Sequence, residues 1–353
     1  MLNSRPLRVL IAAPSQGKYG GLEAFVLALA ESMVGVADLS PRICLKLVRG
    51  AVLSDELRAR CEKIGVPYSV VSRASFSLYQ NLYWADLVHV QNPSPDITFG
   101  THLSGRPLVM TIINHRSKTK SLHTRLWDWA VRATVFRCYI SEFVRSTWEP
   151  HGKKAGSRVI PAVPHLPERE ITWGRNGFFF IGRWIANKGL EELITAYATA
   201  QIDRTRWPLT LAGDGPLRPE IEQLIAKHAL TNVRLVGFIG DEEKFTLMRH
   251  AKWNVAPPHT QEDLGMTPIE ARYLAVPSII TRDGGLPEAA GPEALIAEPG
   301  DVASLRSRLE EAAAMPTAEY NRRALASLEQ LDKFLVPLSE YHNLYRQTAS
   351  WRE

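Results

Sequence analysis

The stretch GFFFIGRWIANKGLEELITAYA, residues 177–198, contains the unit that is repeated along the rest of the chain. Its beginning, GFFFIGR, is a short apolar run that ends in glycine and arginine, which is typical of a buried strand. The residues that follow carry apolar side chains at helical spacing. A buried strand followed directly by an amphipathic helix indicates a parallel sheet covered by helices.

The same alternation runs through both halves of the chain. The other apolar runs of the second half are PLTLAGDG, VRLVGFIG, WNVAPP, PSIITRDG and ALIAEP. Those of the first half are LRVLIAA, RICLKLV, DLVHV, PLVMTII and RCYI. We therefore predict an α/β protein with two Rossmann-like, doubly wound parallel-sheet domains, which would bind ligands in a cleft between the carboxyl ends of both sheets.

The domain boundary is predicted near the middle of the chain. The segment RVIPAVPHLPEREITWGRNG, residues 158–177, contains three prolines and is interpreted as a linker. A chain of 353 residues is also too long for one compact core. We expect domains at 1–165 and 166–330, and a helical segment at 331–353 that could pack back on the N-terminal domain.

Composition and charge narrow the class of protein. Hydrophobic residues make up 45% and charged residues 22% of the chain, which is typical of a globular protein. The three cysteines lack metal-ligand spacing, and the N-terminal apolar run is too short for a signal peptide, so a cytoplasmic protein is expected. Residues 1–170 carry 22 Lys and Arg against 13 Asp and Glu, which suggests an anionic partner such as phosphates, a membrane or nucleic acid.

Much of this basic charge lies in HRSKTKSLHTRLWDWAVRATVFR, residues 115–137. Its cations are Arg116, Lys118, Lys120, Arg125, Arg132 and Arg137, and Asp128 is its one acid. The apolar residues that can share a helix face are Leu122, Leu126, Trp129, Ala133 and Phe136. Basic residues with tryptophans favour peripheral contact with an anionic membrane at its inner face, and a core-packed helix with a solvated basic face is the alternative. No recognisable module supports nucleic-acid binding.

Glycines after the first strand suggest a phosphate or sugar contact. In PSQGKYGGLEAF, Gly20 and Gly21 immediately precede a predicted helix, whose free amides attract anions. An ordinary tight turn is the alternative. The dinucleotide fingerprint GxGxxG and the P-loop are both absent, which disfavours hydride transfer and P-loop phosphoryl transfer.

Two cations and two acids in the second half are candidate ligand contacts. Arg183 stands at a predicted strand end and Lys188 at the start of the next helix, where both could hold a diphosphate. In EDLGMTPIE, Glu262 precedes a predicted helix start, and Glu270 fits a capping box with Thr267. If a phosphate sits on the amides of Gly265 to Thr267, the two acids could instead bind the two sugars of a nucleotide sugar.

These motifs together resemble the donor domain of retaining GT-B glycosyltransferases of the group 1 family, which includes glycogen-synthase-like and mannosyltransferase-like members. The resemblance rests on GRWIANKG, AGDGP, VRLVGFIG, EDLGMTPIEA and GGLPE in that order, over about 110 residues. It implies that Glu262 contacts the donor sugar, Glu270 the ribose, and Arg183 and Lys188 the diphosphate.

The resemblance also assigns further contacts. It implies that the remaining donor-binding residues are Gly20, Gly21, Gly237, Phe238, Ile239, Leu264, Gly265, Met266 and Thr267. The first half matches through DLVHVQ and VMTIINH, so that His115 would lie near the donor sugar and the N-terminal domain would bind the acceptor. Departures from the family pattern are Arg116 for Asp, Pro161-Ala162 for Asn-Gly, and Leu264 for Phe.

The expected chemistry is metal-independent hexosyl transfer with retention at the anomeric carbon. No Asp-x-Asp motif occurs, so the catalytic roles are assigned to Glu262, His115, Arg183 and Lys188, with no metal and no cofactor. The donor would be a nucleotide diphosphate sugar, with GDP-mannose or a UDP-hexose favoured. The acceptor would be a glycan or a lipid-linked sugar in polysaccharide or glycolipid biosynthesis. Alternatives are a non-catalytic nucleotide-sugar-binding partner of an active transferase and a glycosyl phosphorylase.

Overall fold

A computed structural model describes residues 5–161 and 166–350 and shows two compact units. The first unit contains the described residues up to Pro161 and those from Leu335 onward, and the second contains Leu166–Phe334. Of the linker features noted above, Ala162 and Pro164 lie outside the described residues.

The first unit is built on a parallel sheet. Its described strands are β1 (Leu7–Ser15), β2 (Leu39–Leu47), β3 (Tyr68–Val71), β4 (Leu87–Gln91), β5 (Leu108–Ile112), β6 (Phe136–Tyr139) and β7 (Ser157–Val159). They lie in the order β3-β2-β1-β4-β5-β6-β7. The helices are α1 (Gly21–Glu31), α2 (Asp55–Lys63), α3 (Phe76–Trp84), α4 (Pro95–Leu103), α5 (Leu122–Ala133), α6 (Glu142–Trp148) and, from the C-terminal part, α14 (Ser339–Ser350).

Each apolar run predicted as a strand in this half contains one, because strands buried on both faces are continuously apolar. The strands β3 and β7 were not predicted, since they are short strands at the two edges of the sheet. Phe136 was expected on the helix face of the basic stretch. That prediction was wrong, because α5 ends at Ala133 and Phe136 begins β6.

The second unit repeats the design with its own parallel sheet. Its described strands are β8 (Asn176–Ile181), β9 (Leu209–Ala212), β10 (Val233–Gly237), β11 (Ala251–Ala256), β12 (Ser278–Thr281) and β13 (Leu295–Ala297). The helices are α7 (Leu190–Thr199), α8 (Arg218–Lys227), α9 (Asp241–His250), α10 (Met266–Tyr273), α11 (Leu286–Ala290), α12 (Val302–Ala314) and α13 (Thr317–Phe334). Each of the six predicted runs in this half contains a strand.

The strand order of the second sheet is β10-β9-β8-β11-β12-β13, so the direction of winding reverses between β8 and β11. Open parallel sheets bind ligands beyond the carboxyl ends of the strands at such a reversal. Helix α10, which follows β11, is fixed there by Arg272, a side chain that is almost wholly buried. Its guanidinium donates to the carbonyls of Ala289 (2.8 Å) and Ser327 (3.3 Å), and this links α10 to α11 and α13.

The C-terminal region divides between the two units. Helix α13 belongs to the second unit, whereas α14 packs on β4 and β5 of the first. The contact is polar at its centre, where His89 is fully buried. Its Nδ1 lies 2.7 Å from the Tyr345 hydroxyl and its Nε2 lies 2.8 Å from Thr111 Oγ1. Burial lowers the pKa of His89 to about 3, so the ring is neutral.

Candidate functional site

A pocket of about 250 Å³ lies in the second unit at the reversal point of the sheet. Its walls come from the loop after β8, the loop after β11 and the start of α10. The predicted site residues that it brings together are Arg183, Lys188, Glu262, Gly265, Met266 and Thr267. Six predicted residues from two distant stretches of the chain, 183–188 and 262–267, therefore meet at one place in the fold.

Lys188 and Glu262 form an ion pair inside this pocket. The Lys188 Nζ lies 2.5 Å from Glu262 Oε2, and the two side chains are 23% and 24% exposed. The adjacent Gly189 makes the approach of the two loops possible, since it has φ of +71° and a β-carbon there would lie 1.9 Å from the carbonyl oxygen of Pro257. Lys188 is thus bound to the Glu262 carboxylate, the group that the family resemblance assigns to the donor sugar.

Arg183 offers a second cation at the same pocket. The flanking backbone is held by Trp184, whose N–H donates to the carbonyl of Asp214 (2.9 Å) and whose carbonyl accepts from the N–H of Leu217 (3.1 Å). The Arg183 side chain is exposed, and within the described part of the chain its guanidinium has no hydrogen bond or ion pair. A fixed backbone with an uncompensated guanidinium suits the binding of an anion.

The start of α10 supplies backbone donors to the pocket. The helix begins at Met266, and Gly265 precedes it with φ of +92° and no side-chain cap. The first amides of a helix lack intrahelical acceptors and carry partial positive charge. The capping box expected between Thr267 and Glu270 was wrong, because Thr267 is already the second residue of the helix and the Glu270 carboxylate binds elsewhere.

The loop that carries Glu262 is fastened to the GGLPE loop. The N–H of Glu262 donates to Asp283 Oδ2 (2.7 Å), and its carbonyl accepts from the N–H of Gly285 (2.7 Å). A β-carbon at Gly284 would lie 2.0 Å from the same carbonyl oxygen. The sequence analysis did not identify Asp283. The available signal was an acid before two glycines directly after a strand.

Glu270 is buried beside a lysine that the sequence analysis did not identify. The carboxylate belongs to a residue only 7% exposed, and it lies 2.8 Å from Lys244 Nζ, which also contacts Asp241 at 3.0 Å. Burial raises the pKa of Glu270 and Lys244 opposes that rise. Burial opposes the charge of Lys244, but its acidic neighbours still raise the pKa of the amine. Glu270 does not line the pocket wall.

The remaining predicted residues lie near or apart from this pocket. Leu264 is buried and lies one residue before Gly265. Gly237, with φ of +82°, ends β10 and is followed by Phe238, whose side chain is 88% exposed, and by half-buried Ile239. These three residues do not line the pocket.

Gly20, Gly21 and His115 belong to the first unit, whereas the other predicted site residues belong to the second. Gly20 precedes α1 without a side-chain cap, and Gly21 is the first residue of that helix. The nearby Glu23 is buried and accepts a hydrogen bond from Ser15 Oγ at 2.6 Å. His115 is half-buried after β5, and its ring centroid lies 6.2 Å from that of Phe143.

The basic stretch, residues 115–137, contains two cations with hydrogen-bond partners in the fold and four exposed ones. Arg116 binds Asp128 with two hydrogen bonds of 2.8 and 2.6 Å, and this pairing raises the pKa of the guanidinium. Arg137 is buried and donates to the carbonyl of Thr134 at 2.7 Å. The other four basic side chains are exposed, as are three apolar ones of α5. They are Lys118, Lys120, Arg125 and Arg132, with Leu122, Leu126 and Trp129.

Comparison with known proteins gives matches for both the sequence and the fold. Residues 167–326 match the family model described as "Glycosyl transferases group 1". The chain is 27% identical over 287 residues to O-antigen chain mannosyltransferase C of Escherichia coli, covering 74% of this chain and 75% of the relative. It is also 27% identical over 209 residues to O-antigen chain mannosyltransferase B of the same organism, covering 55% and 54%.

The fold resembles that of solved glycosyltransferases of the GT-B class. The structure of Anabaena Alr3699/HepE in complex with UDP superposes with a TM-score of 0.79 at 16% identity, covering 98% of this chain and 100% of that one. The lipopolysaccharide outer core galactosyltransferase WaaB superposes with a TM-score of 0.71 at 13% identity, covering 98% and 99%. The predicted fold class, two Rossmann-like parallel-sheet domains of the GT-B type, is confirmed.

Proposed function

We propose that this chain is a group 1 glycosyltransferase that transfers a hexose from a nucleotide diphosphate sugar to a hydroxyl group. The match to the family model and the mannosyltransferase relatives support this family. One observation carries the proposal. Arg183, Lys188 and the amides at the start of α10 line one pocket around the Glu262 carboxylate. Such a pocket offers cationic donors for a diphosphate beside an acceptor for sugar hydroxyls.

Binding of the diphosphate begins with the two cations. Arg183 has no partner within the described residues and can receive a phosphate directly. Charge-assisted hydrogen bonds of this kind contribute about 1.5–3 kcal/mol each. Lys188 reaches the phosphate by leaving Glu262, and the same movement frees the Oε2 atom of that carboxylate for the hydroxyls of the sugar.

We assign the nucleoside end of the donor to Phe238, which follows β10, and to Glu270 of α10. Phe238, exposed at the carboxyl end of β10, offers a ring face to the base. Glu270 accepts from the ribose hydroxyls, and the ion pair with Lys244 favours its charged form although the site is buried.

The transfer is proposed to retain the configuration of the anomeric carbon. The bond from that carbon to the phosphate oxygen breaks, a bond to the acceptor oxygen forms on the same face, and the acceptor proton passes to the departing phosphate. Arg183, Lys188 and the α10 amides stabilise the negative charge that develops on the leaving diphosphate. Glu262 orients the sugar, and His115 of the first unit is assigned to the same reaction. Because these groups supply the stabilisation, we expect transfer to continue in EDTA.

The first donors to test are GDP-mannose and the UDP-hexoses. Two of the relatives are named O-antigen chain mannosyltransferases, and the HepE structure contains UDP. A glycan or lipid-linked acceptor in polysaccharide biosynthesis is the matching proposal. The charged residues that the family resemblance assigns to this pocket, Arg183, Lys188 and Glu262, are all present. Their presence favours an enzyme over a non-catalytic partner.

We also propose that α5 contacts an anionic membrane. The α5 surface consists of Leu122, Leu126 and Trp129, which are 74%, 39% and 40% exposed, together with Lys118, Lys120 and Arg125. The three apolar residues are spaced so that they share one helix face, and a helix with this pattern lies flat in the membrane interface. Among the described residues, none of the helices combines the length and apolar character needed to cross a bilayer.

Thermal unfolding with UDP, GDP, ADP and their sugar conjugates tests the donor site. A ligand at 100 times its dissociation constant stabilises the protein by about 2.7 kcal/mol. Arg183→Ala should remove the shift, whereas Arg306→Ala, an exposed arginine of α12 outside the pocket, should keep it. Absence of a shift with every nucleotide, or a shift that Arg183→Ala leaves unchanged, would remove the basis of the proposal. A transfer assay with the stabilising conjugate, read by NMR of the product linkage, then tests retention.

The membrane contact has a separate test. Replacing Lys118 and Lys120 together by glutamine should weaken sedimentation with phosphatidylglycerol vesicles by roughly tenfold or more, since each basic residue contributes about 1 kcal/mol at an anionic surface. The control is the pair Arg49→Gln and Lys63→Gln, exposed residues of the first unit outside the α5 surface. Equal loss in both double variants would contradict a specific role for α5.

A further inference from the structure

A second cavity, of about 240 Å³, lies in the first unit, and it has no lining residue in common with the pocket around Lys188 and Glu262, which we call the transfer pocket. It is formed between α5 and the segment that follows α6, and six of its lining residues are charged. They are Arg116, Asp128, Arg132, Arg137, Glu149 and Lys154. Four of these side chains are cationic and two are anionic.

Both acids in the wall already have cationic partners. Asp128 receives the two hydrogen bonds of Arg116 at 2.8 and 2.6 Å. Glu149 lies 3.1 Å from the Arg137 guanidinium and also accepts from Ser157 Oγ at 2.6 Å. Each acid is therefore neutralised by its own arginine, and neither acid is left to balance another cation.

The other two cations are not compensated. Arg132 and Lys154 are exposed, and within residues 5–161 and 166–350 neither side chain has a hydrogen bond or an ion pair. The backbone N–H of Lys154 donates to Glu149 Oε2 at 2.9 Å, so the position of this residue is fixed although its ammonium group is unpaired. Two uncompensated positive charges at one cavity attract an anion with several oxygen acceptors.

The cavity adjoins the α5 surface defined above. Arg132 stands three residues after Trp129 on the same helix, and residues at this spacing are neighbours on a helix face. A ligand that places a phosphate on Arg132 and Lys154 can therefore place an attached apolar chain along Trp129 and Leu126. A phosphate group attached to an apolar chain is the arrangement found in a phospholipid.

We propose that this cavity, which we call the α5 pocket, binds a phosphate group through Arg132 and Lys154, carried either by a lipid headgroup or by a soluble phosphate ester. Because the α5 pocket lies in the first unit, the proposal does not depend on the transfer reaction. The two sources of phosphate share the same recognition chemistry and differ in the need for an apolar chain.

Acetylation of lysines, read by mass spectrometry on the full-length chain, tests the proposal at the site itself. Lys154 is modified with and without glycerol 3-phosphate, phosphatidylglycerol vesicles or phosphatidylcholine vesicles. The neighbouring Lys153, exposed and outside the lining of the pocket, is the internal control. We expect protection of Lys154 relative to Lys153 by at least one phosphate-bearing probe. Arg132→Gln should raise the concentration needed for half-protection by about tenfold or more, the effect of losing one charge-assisted hydrogen bond.

The pattern of protection identifies the source of the phosphate. Protection by phosphatidylglycerol vesicles alone assigns the pocket to an anionic lipid headgroup, and protection by glycerol 3-phosphate assigns it to a phosphate ester that needs no membrane. Equal reactivity of Lys154 and Lys153 with every probe would overturn the proposal. Protection that persists unchanged in Arg132→Gln, or that is the same in Arg132→Gln and the control Arg49→Gln, would also overturn it.

Discussion

At the scale of single residues, the transfer pocket is governed by the ion pair of Lys188 and Glu262. A separation of 2.5 Å with about a quarter of each side chain exposed gives a real but modest attraction. Under the proposed function, a nucleotide diphosphate and the Glu262 carboxylate compete for the Lys188 ammonium group. Glu262 would then have two opposite effects, because it would help to bind the sugar and would weaken binding of the diphosphate.

Glu262→Gln should separate these effects. The amide cannot hold Lys188 by charge, so we expect a nucleoside diphosphate to bind about twofold to fivefold more tightly, within the range of a partly exposed ion pair. Transfer should be lost, because the sugar loses its anionic acceptor. Calorimetric titration with the stabilising nucleotide measures the first effect, and Glu243→Gln, an exposed acid of α9, is the control. Weaker binding in Glu262→Gln would contradict the competition.

The buried pair of Lys244 and Glu270 should control stability in a pH-dependent way. Lys244→Met leaves the carboxylate buried without its cation, which typically costs about 3 kcal/mol or more at neutral pH. The pKa of Glu270 is raised by burial, so the folded state holds its proton more strongly than the unfolded state does. Its contribution to stability is therefore present at low pH and is lost as pH rises through the raised pKa.

We expect the difference in thermal midpoint between wild type and Lys244→Met to be larger at pH 8 than at pH 5. The double variant Lys244→Met with Glu270→Gln should recover part of the loss at pH 8, since no buried charge remains. A loss that is equal at both pH values, or that the double variant does not reduce, would show that the charge of Glu270 is not its cause.

At the scale of elements, the start of α10 places backbone donors where an anion can reach them. Its position depends on Gly265, because the chain turns there with φ of +92° and a β-carbon would lie 2.3 Å from Leu286 Cδ1. Leu286 begins α11, so the contact also sets the distance between two short helices of the site. The opening of the pocket is thus a property of the β11–α10 connection and not of one side chain.

Gly265→Ala should displace the amides at the start of α10. We expect weaker binding of nucleoside diphosphate with a smaller effect on nucleoside monophosphate, and a loss of roughly 1–2 kcal/mol in stability from the left-handed conformation. Gly300→Ala is the matched control, because Gly300 has φ of +72° and open space around it. If both variants lose stability but neither loses affinity, the α10 amides do not bind the phosphate.

At the scale of the whole molecule, the chain leaves its first unit, completes the second and returns to the first. Helix α14 contributes Tyr341 and Tyr345 to the core of the first unit. More than 170 residues separate these tyrosines from Pro161, the last described residue of that unit before the second unit begins. The Tyr345 hydroxyl lies 2.7 Å from the buried His89 Nδ1. The last helix is therefore part of the first fold and not an appended segment.

Tyr345→Phe should destabilise the first unit by about 1–3 kcal/mol, because it leaves a buried polar atom of His89 without a partner. Differential scanning calorimetry measures the change, and Tyr83→Phe, an exposed tyrosine of α3, is the control. Nucleotide affinity of the second unit should remain as in wild type. No change in unfolding would show that the hydrogen bond to His89 does not stabilise the unit.

The sequence by itself determined the two-domain α/β fold and six of the residues that line the transfer pocket. Buried parallel strands are continuously apolar and the helices between them are amphipathic, so both are visible in local pattern, as in GFFFIGR and the residues after it. Arg183, Lys188, Glu262 and Gly265 all follow strands, and the carboxyl ends of parallel strands meet at one edge of a sheet. Short edge strands such as β3 gave too little pattern to detect.

Only the tertiary structure decided which polar and charged groups pair. Lys188 meets Glu262 across 74 positions, Lys244 meets Glu270 across 26, and His89 meets Tyr345 across 256. It also showed that Glu270 does not close a capping box and that Arg132 and Lys154 share a cavity. Contacts at such separations depend on strand order and on the burial of each side chain. The local alternation of apolar and polar residues determines neither of them.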